Sequence, residues 1–477
     1  MSHRRALLPA VLAAGLLVAA GPGGAAVSAG AAPPGRARVA ASTPVPTPLL
    51  ARVSAHGLAT PTTAQCEAVL HLACYGPAQL RAAYNLNPLY ASHLTGSGVT
   101  IAIVDAFAAP QVAGDLATFD AGFGLPNPPS LRVIAPAGAL PAFTVHNAAM
   151  VNWAMETDLD VEWAHALAPG ASILLVQTPV DEVEGLGGFP QIVAAENYVV
   201  AHHLADVITQ SFGATEQSFS SPATLLSLRS AYLAADAAGV SVLAASGDSG
   251  ATNFTGTGST YSLSRAVAWP ASDPLVTAVG GLQYSLSASG STVAPLAVWN
   301  DTASLGHPAS AGGGPSVVFP RPWYQDDVAA QVGAARGVPD VSLSAAVNGA
   351  ALTYLGPDAS ANRPGYYLIG GTSEASPSFA AVVAIADQLA GHSLGLLNPA
   401  LYLLEDEHAP GLVDVTRGTN TVSFTQSGAR HTVVGWNAVP GYDLASGVGG
   451  INAAQLVPEL VATVGDGPST RPGPPRS

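Results

Sequence analysis

Three stretches of this chain carry residue types that could do chemistry together. In Gly370-Gly371-Thr372-Ser373-Glu374-Ala375-Ser376-Pro377, two glycines leave room for something to approach the backbone, and from Phe379 the pattern turns apolar and helical. A serine between a tight turn and a buried helix is placed to be a nucleophile aided by helix-start amides, or simply to sit in a Gly-rich cap. A nucleophilic serine needs a base and donors for the oxyanion it creates. Twelve histidines are present, yet none stands in a His-Gly-Thr setting at a helix start, where such a base is expected.

Carboxyls offer the alternative. Residues 156–162 read Glu156-Thr-Asp158-Leu-Asp160-Val-Glu162, ahead of Ala-Pro-Gly. On a helix Glu156 and Asp160 share a face, and Asp158 with Glu162 forms a second pair on the other side. Two neighbouring carboxyls tend to share a proton, which makes an acid/base couple; a solvated acidic face is the other reading, and it suits Asp158 and Glu162 better. The third stretch, Leu243-Ala-Ala-Ser-Gly247-Asp248-Ser-Gly250, closes a buried strand. Asp248 there is a turn former or a protonated carboxyl that donates to an oxyanion.

The elements that must position these residues are legible from periodicity. Runs of β-branched and apolar residues at 98–105, 171–176, 205–212 and 240–245 read as strands buried on both faces. Helical patterns at 80–86, 191–204 and 225–238 alternate with them, which implies a doubly wound, mostly parallel α/β sheet with helices on both faces. Ligands bind such sheets at the carboxyl ends of strands, so the residues just after Val104, Gln210 and Ala245 matter. Gly312-Gly-Gly-Pro, Phe319-Pro-Arg-Pro and the Gly-rich segments around them read as loops inserted before the Ser373 helix.

Composition bounds the function. The 477 residues contain 16 basic groups, all Arg, against 31 acids, a net charge of −15 at pH 7. That balance excludes nucleic acid as a partner, because phosphate binding needs a basic face. Residues 1–31 read as a secretory signal peptide: Arg4 and Arg5, an apolar run over 6–20, then small residues ending in Ala29-Gly30-Ala31. No later stretch reaches about 18 apolar residues, so no stable membrane anchor is expected and the chain reads as secreted and extracellular. Residues 32–75 form a short Pro/Ala-rich pro-segment or linker, 76–465 the folded domain and 466–477 a disordered tail. Cys66 and Cys74, close together in an exported chain, suggest a disulfide.

Taken in order, Glu-x-x-x-Asp before Ala-Pro-Gly-Ala, Ser-Gly-Asp-Ser-Gly and Gly-Gly-Thr-Ser-x-x-x-Pro resemble the sedolisins, serine-carboxyl peptidases with a subtilisin-like fold. Val298-Trp-Asn-Asp, Phe319-Pro-Arg-Pro and Arg336-Gly-Val-Pro-Asp-Val extend the resemblance, which runs from about Leu80 to about Leu460. It implies Ser373 as nucleophile, Glu156 as general base, Asp160 as the residue that tunes Glu156, and Asp248 as oxyanion donor. Asp105 falls where some members keep a Glu, and Phe212 where many have Trp. The resemblance also implies one structural Ca2+ held by the carboxylates of Asp414 and Asp443 and the carbonyls of Val415, Val439 and Gly441, hard oxygen donors that suit calcium. Val439 replaces a usual Gly. Sedolisins usually carry a long folded pro-domain; here about fifty residues separate the expected signal peptide from the catalytic start.

The expectation is a secreted monomeric peptidase acting on proteins or peptides through an acyl-enzyme on Ser373. A Glu of near-normal pKa accepts a proton near pH ~4, where histidine is already charged, so the optimum falls at about pH 3–5. The alternatives are a subtilisin-type neutral serine peptidase and a non-catalytic secreted binding protein on the same fold. Endopeptidase or tripeptidyl-peptidase action depends on loops at the cleft.

Overall fold

The structure, a computed structural model, describes residues 49–53, 59–182, 187–255 and 260–465. The expected signal peptide and disordered tail lie outside the described residues. In chain order the strands that matter are β1 (Leu49–Arg52), β2 (Cys74–Tyr75), β3 (Thr100–Ala106), β4 (Leu131–Ile134), β5 (Ser172–Thr178), β6 (Val207–Gln210), β7 (Ser241–Ala245), β8 (Thr277–Gln283), β9 (Ala297–Val298), β10 (Val341–Ser344), β11 (Ala350–Leu355) and β12 (Gly365–Gly370). The helices are α1 (Thr63–Leu70), α2 (Val112–Phe123), α3 (Ala148–Leu167), α4 (Phe189–Ala201), α5 (Ser230–Ala238), α6 (Thr372–Ala390) and α7 (Ala453–Gly465).

The main sheet has eight strands in the order β9-β8-β7-β6-β3-β5-β4, with β10 paired to β8. All of its pairings are parallel except β8 with β9. Strand β3 shows why the fold is doubly wound. Ile101 and Ile103 face one core with α3 and α6, whereas Ala102 and Val104 face a second core with α4 and residues of α5. A strand buried on both faces needs apolar residues at every position, and Ile101-Ala-Ile-Val has them. The doubly wound, mostly parallel α/β architecture read from the periodicity is the one observed.

Two sequence expectations change. The region before Ser373 read as loops holds paired strands: Gly314–Pro320 against Ala335–Val338, then β10, and the β11–β12 hairpin. Glycine and proline there mark bulges and sheet edges, where both are tolerated, so their density misled. Segment 32–75 is also more than a linker. Helix α1 and strand β2 lie in it, joined by a Cys66–Cys74 disulfide whose residues are buried in the core. β2 pairs with β11, and β1 pairs antiparallel with β12, forming a second, four-stranded sheet in the order β1-β12-β11-β2.

Candidate active site

Helix α3 carries the carboxyl motif through the middle of the molecule. Asn147 caps it, its side chain accepting from the amides of Ala149 and Met150 at 3.0 and 3.4 Å, and Pro169 follows its end. Every residue from Trp153 to Leu167 is buried. That corrects the reading of Asp158 and Glu162 as a solvated face. The helix packs between α2, α6 and β11, so both carboxyl pairs are inside. An i, i+4 spacing identifies a shared face but says nothing about what covers it.

On the front of α3 the structure brings Glu156 and Asp160 to Ser373. Glu156 is held well above its ordinary pKa by burial; the Ser373 side chain opposes this, while Asp105, Asp248 and Glu182 push further up. Asp160, fully buried, is raised by burial and by the nearby Asp105 and Glu156. Asp105, at the carboxyl end of β3, is raised to about 7 by burial, the Thr157 hydroxyl opposing. The base therefore does not have the near-normal pKa expected of it. Three carboxyls in one water-poor pocket cannot all ionise, and they titrate as a unit.

Ser373 is the second residue of α6, whose first-turn amides have no partner within the helix. Asp248 lies across from it, half-buried, at the turn after β7. Its Oδ1 accepts from the Thr372 amide at 2.7 Å and the Thr372 hydroxyl at 2.8 Å. Burial raises Asp248 above its ordinary value, and the two Thr372 bonds oppose. With Oδ1 so engaged, a proton on this carboxyl belongs on Oδ2. That oxygen lies 2.6 Å from where a Cβ on Gly371 would stand. Gly371 also has φ +135°, so glycine is required there on both counts.

Two residues of this site were not named from the motifs. Thr372 pins Asp248 and accepts from the Gly247 amide at 3.1 Å, which ties the two turns together. Ser211 donates to Asp160 Oδ1 at 3.0 Å. The rule about strand ends had already marked the position after Gln210, and Ser211 occupies it. Phe212, beside it, packs edge-on against Trp153 and has no polar atom to offer the carboxyls. Among the described residues His165 is the buried histidine, and it lies away from Ser373, with Nε2 3.3 Å from Asp120 and 2.7 Å from the Pro126 carbonyl.

The residues expected to hold calcium lie on two segments, 414–415 and 439–443, which Asp414 and Gly441 tie together. The Gly441 amide donates to Asp414 at 3.2 Å and the Val439 amide to Asp443 at 3.1 Å. Asp443 further accepts from the Ala445 and Ser446 amides and the Ser446 hydroxyl at 2.8–3.0 Å. No three imidazole, thiolate or carboxylate side chains gather as a metal site among the described residues. A cation here would therefore depend on carbonyl oxygens beside the two carboxylates, a donor set that fits calcium and not softer metals.

The described residues include no helix long and apolar enough to cross a membrane. A sequence profile of the subtilase family matches residues 143–400. Kumamolisin of Bacillus sp. (strain MN-32) is 34% identical over 313 residues, covering 64% of this chain and 50% of that protein. Sedolisin of Pseudomonas sp. (strain 101) is 32% identical over 307 residues, 63% of this chain and 48% of that one. Human tripeptidyl-peptidase 1 is 30% identical over 321 residues, 64% and 52% respectively. The chain thus spans about half the length of the curated relatives it matches. The solved structure of Pseudomonas sedolisin, a serine-carboxyl proteinase in complex with pseudo-iodotyrostatin, superposes with a TM-score of 0.67 at 26% identity, covering 82% of this chain and 99% of that one.

Proposed function

The chain belongs to the subtilase family, in its sedolisin branch, and on that premise we propose that it is a secreted, acid-acting serine-carboxyl peptidase that hydrolyses peptide bonds through an acyl-enzyme on Ser373. The observation that carries this reading is what stands beside Ser373: Glu156 and, through Ser211, Asp160, whereas the buried histidine His165 pairs with Asp120.

Ser373 Oγ attacks the scissile carbonyl carbon while its proton passes to Glu156. The charge that develops on the carbonyl oxygen meets the Ser373 amide and a protonated Asp248. As the tetrahedral intermediate collapses, Glu156 returns the proton to the leaving amine, and water then repeats the sequence on the ester. Asp105 and Asp160 hold the rest of the shared charge and keep the proton affinity of Glu156 high. Acid favours the cycle for two reasons: Asp248 donates only when protonated, and a cluster with one negative charge costs less to bury than one with two or three. Calcium, held by Asp414, Asp443 and the carbonyls of Val415, Val439 and Gly441, would fix the loop that ends in Asp443; no step of the reaction passes through it.

A peptide-library digest at pH ~4, followed by mass spectrometry, tests the assignment. Cleavage by the wild type and none by Ser373→Ala is the expected result. Persistent cleavage by Ser373→Ala would put the nucleophile elsewhere. A rate that stays flat to about pH 8 would return the neutral subtilisin-type reading. The same products separate tripeptides released from N-termini from internal cuts.

A further inference from the structure

We propose that Ser211 is a positioning residue of this site: by donating to Asp160 it fixes that carboxyl beside Glu156 and ties its charge state to the main chain of the nucleophile. The inference rests on the reading of Ser373 and Glu156 as the catalytic pair and adds a residue to it.

Ser211 follows β6 directly and is buried. Its hydroxyl has two acceptors in reach, Asp160 Oδ1 at 3.0 Å and the Ser373 carbonyl at 3.4 Å. The second is open for a reason written in the chain. In a helix the Ser373 carbonyl accepts from the amide four residues on, but that residue is Pro377, which has no N–H. One hydroxyl proton cannot serve both oxygens. When Asp160 is ionised the charged acceptor takes it, because a hydrogen bond to a carboxylate is the stronger one. When Asp160 carries a proton it becomes the donor to Ser211 Oγ, and the Ser211 proton turns to the Ser373 carbonyl. The groups that compete for charge here are Asp105 from β3, Glu156 on the same helix as Asp160 and, beyond Glu156, Asp248 and Glu182. Ser211 is the neutral donor that favours the anion at Asp160, so it lowers the pH at which the cluster gives up its first proton.

The test compares wild type, Ser211→Ala and Ser211→Thr as full chains, reading kcat/KM for one peptide against pH together with the melting temperature. Ser211→Ala is expected to move the acid limb of the profile up by about one pH unit, about a tenfold loss on that limb with the plateau little changed. Ser211→Thr, which restores the hydroxyl, should bring the limb back. A profile that Ser211→Ala lowers by the same factor at every pH, or does not move, would overturn the proposal. So would a Thr variant that folds like the wild type yet shows the limb of the Ala variant. If Ser211→Ala does not fold, Ser211→Cys, a weaker donor, should give an intermediate shift, and an unshifted Cys variant would count against Ser211. Activity retained by Ser373→Ala would instead strike the peptidase reading itself.

Discussion

Helix α3 has two buried carboxyl faces, and they meet different surroundings. The front pair, Glu156 and Asp160, looks toward strand ends, two serine hydroxyls and Asp105. The back pair, Asp158 and Glu162, looks toward α2 and the segment after β11. There Asp158 shares a hydrogen bond with Asp115, the Gly356 amide approaches both, and Glu162 accepts from the Tyr354 amide at 2.9 Å. Asp358 stands beside them, accepting from the Gln111 and Ala359 amides at 3.0 Å each. Burial raises carboxyl pKa values on both faces, so a perturbed pair does not by itself mark catalysis. What separates them is the neighbour: a serine at a helix start in front, main-chain amides behind. Under the proposed function the front pair passes a proton on. The back pair can only hold the helix to the hairpin.

The largest effect that tests this contrast is in front. Glu156→Gln keeps the shape and removes the base, so kcat/KM should fall by about 10²–10⁴-fold while the melting temperature does not drop. A loss smaller than about tenfold would remove Glu156 from the base role. Behind, Glu162→Ala leaves the Tyr354 amide without its acceptor and should cost about 1–3 kcal/mol in denaturant unfolding, with kcat/KM at the acid optimum nearly unchanged. If Glu162→Ala were as inactive as Glu156→Gln at full stability, the two faces would not be distinct in function.

The third expectation concerns pH and follows from the sign of the shifts. Asp105 and Asp115 are raised to about 7, and Glu196 and Glu374 to about 8, in each case chiefly by burial. The folded chain therefore binds these protons more tightly than the unfolded one. The associated stability is fully present below about pH 4 and is lost as pH rises toward 7–8, at most about 1.4 kcal/mol per pH unit for each proton released. Melting temperatures measured from pH ~4 to ~8 should decline, and Asp158→Asn, whose amide donates to Asp115 at any pH, should make the decline shallower. A melting temperature that climbs toward neutrality would sink this account. The smallest effect should be calcium removal: chelation lowers the melting temperature by a few degrees, and Asp414→Asn no longer responds to the chelator. Equal melting curves with and without chelator would dismiss the ion.

The sequence made the strand–helix alternation legible, because strands such as Ile101–Val104 have to be apolar at every position. It also made Ser373, Glu156, Asp160 and Asp248 legible as a group, because their three motifs taken in order resemble one family. The cover over each face of α3 was not legible. Asp158 is buried by α2 and the β11–β12 hairpin, elements distant in sequence, and helical spacing carries no record of them. The hairpin was missed because glycine and proline break its pattern. The role of α1 and β2 was missed because short elements supported by a disulfide and one strand pairing have little periodicity to read.

Helix α6 has a consequence for how long such a protein survives in its own company. Residues 372–387 are all buried, wrapped by α3, α7 and five strands of the main sheet. Amides in its interior can meet solvent only when the whole domain opens, so their hydrogen exchange should report the global unfolding free energy and not a local one. If the proposed peptidase reading holds, a neighbouring copy could cut within residues 372–387 only after the molecule unfolds, so loss of this segment would follow the unfolding rate.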